Sequence, residues 1–78
     1  MRKYKIRDKV LIRNDLVKGY YYGRNSFVDG MEHLMGKVVT IVGYGADYDI
    51  KEDNDEYGWT DEMIVGKVIA NKVIRNET

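Results

Sequence analysis

Glycine punctuates this chain, and proline is absent from it. Its eight glycines, at positions 19, 23, 30, 36, 43, 45, 58 and 66, separate short segments rich in Val, Ile, Tyr and Thr. Those residues suit a pleated, half-buried surface, and glycine supplies the positive φ that tight turns need. The pattern predicts short strands joined by turns. Residues 37–42 (KVVTIV) are the clearest strand: five of the six are β-branched. Val39 and Ile41 are expected to face one way, and Val38, Thr40 and Val42 the other.

The same alternation marks other segments. In residues 5–13, Asp8-Lys9 reads as a turn or bulge, after which Val10 and Ile12 share a face opposite Leu11. Tyr48 and Ile50 are in phase within residues 47–51, and Tyr57 and Trp59 within residues 56–60. Residues 52–55 (EDND) read as a polar hairpin tip, and residues 63–65 open a last strand. Residues 66–78 carry two apolar pairs, Val68-Ile69 and Val73-Ile74, and fit a strand extension, a hairpin arm or a short helix.

Two stretches break the strand pattern. Residues 19–30 (GYYYGRNSFVDG) have no clean period, with three tyrosines between glycines and Asn25-Ser26 as a turn pair. They read as a long, partly ordered loop, and long loops in compact domains tend to be functional. Residues 31–35 (MEHLM) place apolar side chains at i, i+3 and i+4 and predict one helical turn closed by Gly36. The expected fold is all-β: a five-stranded SH3-like barrel with one helical turn and a long loop after strand 1. It is expected to form one domain over residues 1–78, with a core at about 5–66 and an extension at 67–78.

Residues 31–65 resemble a recurrent type of small SH3-like protein encoded by bacteriophages and Gram-positive bacteria. They are more distantly similar to the SH3-like repeats of mind bomb-type proteins. The likeness rests on Met35-Gly36-Lys37, Val39-Thr40-Ile41, Tyr48-Asp49-Ile50 and above all Trp59-Thr60-Asp61-Glu62-Met63-Ile64, with Asp8-Lys9-Val10 matching the usual opening turn. It covers about three-quarters of the chain. Where these proteins often carry a large residue before the Trp, this chain has Tyr57-Gly58. The segment around Tyr20–Tyr22 and the tail after Gly66 fall outside the likeness. The resemblance implies a fold and carries over no functional residues.

Composition removes several chemistries. Without Cys there is no disulfide scaffold, thiolate zinc site or cysteine nucleophile, and one His allows no two-histidine metal site. A Ca²⁺ loop starting at Asp53 would run Asp53-x-Asp55-x-Tyr57-Gly58 with Ile64 at its twelfth position, which leaves two ligands missing. Asp61 is expected to cap a helical turn by accepting the N–H of Met63 or Ile64 rather than to work as an acid–base pair with Glu62. His33 is expected to face water. The glycine segments match neither a dinucleotide nor a phosphate-loop motif. No constellation combines nucleophile, base and orienter, so the expectation is a non-enzyme without cofactor or metal. No apolar run approaches 18 residues, and no secretory signal is read at the N-terminus, so the chain is expected to be cytoplasmic with no membrane span.

The formal charge is zero, but its distribution is uneven. Residues 1–39 carry +5 and residues 40–78 carry −5. The simplest reading is that the two ends pack together and neutralise each other. Three functional readings remain. In the first, the chain is a non-catalytic protein-binding module, plausible as a phage or mobile-element product. Tyr20, Tyr21, Tyr22, Tyr44 and Tyr57 line its contact surface, and Asp53, Asp55 and Glu56 attract a basic partner. In the second, Arg2, Lys3, Lys5, Arg7 and Lys9 form one cationic face of an extended segment that binds nucleic acid, with Tyr4 for stacking. In the third, residues 66–78 pair with another copy in an assembly.

Overall fold

The computed structural model describes residues 3–75, so Arg2 of the basic stripe lies outside the described residues. The strands are β1 (Lys9–Ile12), β2 (Tyr21–Tyr22), β3 (Asn25–Ser26), β4 (Val38–Tyr44), β5 (Tyr48–Ile50), β6 (Ile64–Ile69) and β7 (Lys72–Arg75). Five of them make one sheet in the order β5-β4-β1-β6-β7, and β2-β3 form a small separate hairpin. Every strand pair is antiparallel. Three 3₁₀ turns, Asp29–Leu34, Lys51–Asp53 and Asp61–Met63, complete the regular structure. The protein is all-β.

Strand parity follows the residue pattern. Val10 pairs with Val39 across β1 and β4, and both are fully buried with Ile12, Ile41 and Ile50. Each such side chain contributes about 1.5–3 kcal/mol relative to an exposed one. Val38 and Val42 stay on the outer face. Bulges between Leu11 and Ile12 and between Ile41 and Gly43 shift the register, which bends and coils the strands around the core. Trp59 and Phe27 fill the centre edge-to-face at 6.5 Å, and Tyr4 meets Tyr48 in the same manner at 5.6 Å.

The sheet is not closed. The strand expected at residues 56–60 is reduced to one bridge, in which Tyr48 and Trp59 exchange N–H···O bonds of 2.8 and 3.1 Å. The cause is Asp53, whose carboxylate accepts the N–H groups of Glu56 and Tyr57, both at 3.3 Å, and so withdraws them from a ladder. The expected hairpin tip is instead the 3₁₀ turn Lys51–Asp53, followed by Asn54 and Asp55 in the left-handed region.

Three other segments take sharper forms than expected. The helical turn is a 3₁₀ turn starting at Asp29, with Met31 and Leu34, three residues apart, as its buried side. The long loop is an ordered hairpin. Gly19, at φ +88°, allows a turn in which Tyr20 N–H donates to Val17 O, and Gly23-Arg24 is the two-residue connection between β2 and β3. Asn25-Ser26 is therefore strand rather than turn. Of residues 66–78, the described residues 66–75 form the hairpin arm, and 76–78 lie outside the described residues: β7 folds back on β6 around Ala70-Asn71, both at positive φ. That conformation fits a type I′ connection.

Candidate recognition site

The β2-β3 hairpin is stapled to the body from several sides. Tyr22 points inward: its hydroxyl accepts the N–H of Val17 at 2.8 Å, and the Arg13 guanidinium lies 5.4 Å from its ring centre. Buried Thr60 donates its hydroxyl proton to the Tyr22 carbonyl at 2.7 Å. Asn25 donates to Asp47 at 2.6 Å and to the Gly58 carbonyl at 3.2 Å. Arg13 is itself fixed by Asp15 and by the Glu62 carbonyl. The Asp15 hydrogen bond and charge raise the Arg13 pKa above its usual value, and Arg13 in turn lowers that of Asp15. Held this way, the hairpin leaves Tyr20 63% and Tyr21 73% exposed. Two large aromatic side chains stand in water on an anchored support.

Grooves flank the hairpin. One, of about 230 Å³, is lined by Gly23, Arg24, Asp47, Asp61 and Glu62 with Trp59 among its walls. Its three carboxylates outweigh one arginine, and Arg24 sits 4.0 Å from Asp47. The other, of about 360 Å³, is lined by Asn25, Ser26, Met31, Glu56 and Tyr57. Ser26 is the pairing partner of Tyr21, so this groove begins beside the exposed tyrosine.

The expected tyrosine cluster is divided. Tyr57 is half-buried, and its hydroxyl end occupies the space a Cβ on Gly30 would need. Tyr44 is exposed at its edge and packs edge-to-face on Tyr48 at 6.4 Å. Asp55 and Glu56 are exposed. Asp53 is 6% exposed and accepts the Trp59 indole N–H at 2.8 Å, so its carboxylate is engaged inside the molecule.

Asp61 does not cap its turn. Thr60 is the N-cap residue, without a side-chain cap bond, and Asp61 accepts the Tyr48 hydroxyl at 2.7 Å. That hydroxyl also accepts the N–H groups of Lys3 and Tyr4, at 3.2 and 3.3 Å. Burial, reinforced by the bond to Asp61, pushes the Tyr48 pKa up to about 12. The tyrosine thereby ties the N-terminal segment to the turn before β6.

The cationic stripe is not an extended face. Asp8 N–H donates to Lys5 O at 3.0 Å, Lys5 N–H returns to the Asp8 carboxylate at 2.9 Å, and Arg7 sits at φ 81°. This turn breaks the alternation that would align Lys3, Lys5, Arg7 and Lys9. Tyr4 is buried and offers no stacking face. Lys9 donates to Thr40, whose hydroxyl donates to Glu52. Among the described residues, Lys67–Asp8 and Arg24–Asp47 are the ion pairs that cross between the two halves. Strand β1 of the basic half nevertheless pairs with β6 of the acidic half, so the two ends pack side by side while few of their charges pair directly.

Asp47, Asp61, Glu62 and Arg24 were not singled out as a groove by their order in the chain. Asp47, Asp61 and Glu62 are three of the eight acids within residues 47–62, but nothing local in the sequence joins them to Arg24. His33 is exposed on its 3₁₀ turn. Among the described residues no group of three or more His, Cys, Asp or Glu is placed to hold a metal ion, and no helix is long and apolar enough to cross a membrane. Comparison with models of protein families, with curated proteins and with solved structures finds no match.

Proposed function

We propose that this chain is a non-catalytic, SH3-like protein-binding module that grips an extended basic segment of a partner protein through the β2-β3 hairpin. The observation that carries the reading is the pair Tyr20 and Tyr21, both exposed on a hairpin fixed by Tyr22, Asn25 and Thr60. Rigid aromatic anchors lose little conformational freedom on binding, so more of their contact energy appears as affinity. The acidic groove at the Gly23-Arg24 end of the hairpin, lined by Asp47, Asp61 and Glu62, suits Lys or Arg side chains of the partner. An SH3-like layout is supported by the order β5-β4-β1-β6, the long excursion after β1 and the 3₁₀ turn immediately before β6. The Tyr48–Trp59 bridge stands where a further strand would complete closure.

Nucleic acid is a weaker reading, because the basic segment turns at Lys5–Asp8 and its aromatic residue is internal. The test is capture of a protein partner from host lysate by the wild-type chain and by the Tyr20→Ala, Tyr21→Ala double variant. The wild type is expected to retain a partner that dissociates as salt rises. The double variant, with an unchanged melting temperature, is expected to lose at least tenfold in affinity. Equal capture by both chains overturns the reading.

A further inference from the structure

We propose that the outer edge of β7 is a second binding site, which takes an extended acidic segment of a partner protein as an added antiparallel strand. β7 is paired on one side, to β6, with Ile69 opposite Lys72 and Lys67 opposite Ile74 flanking the Val68–Val73 pair. In a hairpin with a two-residue connection, the residues next to the turn exchange both backbone bonds and every second residue thereafter does the same. Lys72 and Ile74 therefore bond to β6, and the N–H and C=O groups of Val73 and Arg75 point away from the sheet. All four β7 side chains are exposed. Val73 and Ile74 present apolar surface on opposite faces, and Ile69 adds to the Ile74 face.

Charge selects the occupant. Lys72 lies on the Ile74 face beside Lys67, which already pairs with Asp8 at 3.3 Å, and Arg75 lies on the other, where it lines a groove of about 440 Å³ with Leu11, Val65 and the Arg13–Asp15 pair. A second copy of this chain is a poor fit for the edge. Antiparallel self-pairing centred on Val73 sets Lys72 diagonal to its own counterpart. Centring on Ile74 sets Arg75 diagonal to its counterpart, and centring on Arg75 places the two guanidinium groups directly opposite. One register sets like charges directly opposite, which destabilises a strand pair, and the other two set them on the diagonal within reach of long side chains. A strand that alternates Glu or Asp with β-branched residues meets the same positions with opposite charge, while its backbone satisfies Val73 and Arg75. The cations thus guard the edge against its own copy and leave it open to an acidic strand. The site is separate from the β2-β3 hairpin, and the two readings fail independently.

The test titrates ¹⁵N-labelled full chain with two blocked peptides, Glu-Val-Thr-Val-Glu-Ile and its Lys-Val-Thr-Val-Lys-Ile counterpart. The acidic peptide is expected to slow amide exchange at Val73 and Arg75 at least tenfold, with at least tenfold weaker binding by the basic peptide. Val73→Pro removes one outward N–H and leaves the β6 pairing intact, so it is expected to abolish acidic-peptide binding without changing the exchange of Lys72 and Ile74. The double variant Lys72→Glu, Arg75→Glu is expected to prefer the basic peptide. Shifts confined to Tyr20, Tyr21 and the Asp47 groove overturn the proposal, as does equal binding of the two peptides. A concentration-dependent dimer of the free chain that protects Val73 also overturns it.

Discussion

The indole N–H of Trp59 donates to the buried carboxylate of Asp53 at 2.8 Å, across six residues of chain. The same carboxylate accepts the backbone N–H groups of Glu56 and Tyr57. One side chain thus both fixes the central aromatic residue and shapes the segment that leads to it. Asp53→Ala orphans the buried indole donor and the Tyr57 N–H, while the Glu56 N–H keeps the Asp53 carbonyl at 3.1 Å, at a cost of about 2–3 kcal/mol. For a domain this size that lowers Tm by roughly 10–20 °C. Asp53→Asn keeps one carbonyl acceptor for the indole, so it is expected to lose less. Thermal melts followed by Trp59 fluorescence check both, and equal losses would show that the indole bond is not the stabilising element.

Tyr48 makes stability depend on alkaline pH. Its hydroxyl titrates near 12 in the folded chain, against about 10 for an unperturbed tyrosine. The folded state thus favours the neutral hydroxyl. Its contribution is complete below pH 10 and is lost as pH rises from about 10 towards 12. Lysines and other tyrosines titrate there too, so the measurement is the stability difference between wild type and Tyr48→Phe. That difference is expected to shrink with pH across this window and to stay flat from pH 6 to 9.

Thr60→Val removes the hydroxyl that holds the Tyr22 carbonyl while preserving side-chain shape. The expected cost is about 1 kcal/mol in global stability. Faster amide exchange at Tyr22 and Asn25 is expected with it, because the staple acts on the hairpin specifically. Partner affinity should fall along with hairpin order even though both exposed tyrosines remain.

Two glycine substitutions should separate cleanly. A Cβ at Gly66 would collide with the Ile74 carbonyl and lie 2.9 Å from the Arg75 Cα, so β7 must move to admit it. Gly66→Ala is expected to cost about 1–3 kcal/mol and to expose the Lys72 and Ile74 amides to exchange. At Gly45 a Cβ meets nothing within 4 Å, and Gly45→Ala is expected to change stability by less than about 0.5 kcal/mol. Chemical denaturation with amide exchange reads both.

Parity made much of the fold legible in the residues themselves. Val10 with Ile12, Val39 with Ile41 and Tyr48 with Ile50 each point inward as their alternation requires. The positions of the turns were less legible, since they depend on partners distant in sequence. The segment containing Tyr57 alternates like a strand, yet Asp53 takes its N–H groups. Ala70-Asn71 turns the C-terminal hairpin without glycine: Asn71 tolerates positive φ, but Ala70 gives no sign of it. For the candidate site, exposure of at least one residue in the tyrosine run followed from three consecutive aromatics. The inward turn of Tyr22 did not, because its contacts are with Arg13, Val17 and Thr60. Asp61 looked like a cap because its nearest donors in sequence are local; Tyr48 competes for it from thirteen residues away.

The two margins of the sheet differ in kind. At β5, Trp59 already occupies the backbone of Tyr48, whereas β7 has nothing beyond it among the described residues. Among the described residues the five-stranded sheet therefore has one open margin. A strand that joins at β7 ends the series there, since the far margin offers no matching vacancy from which a filament of copies would grow.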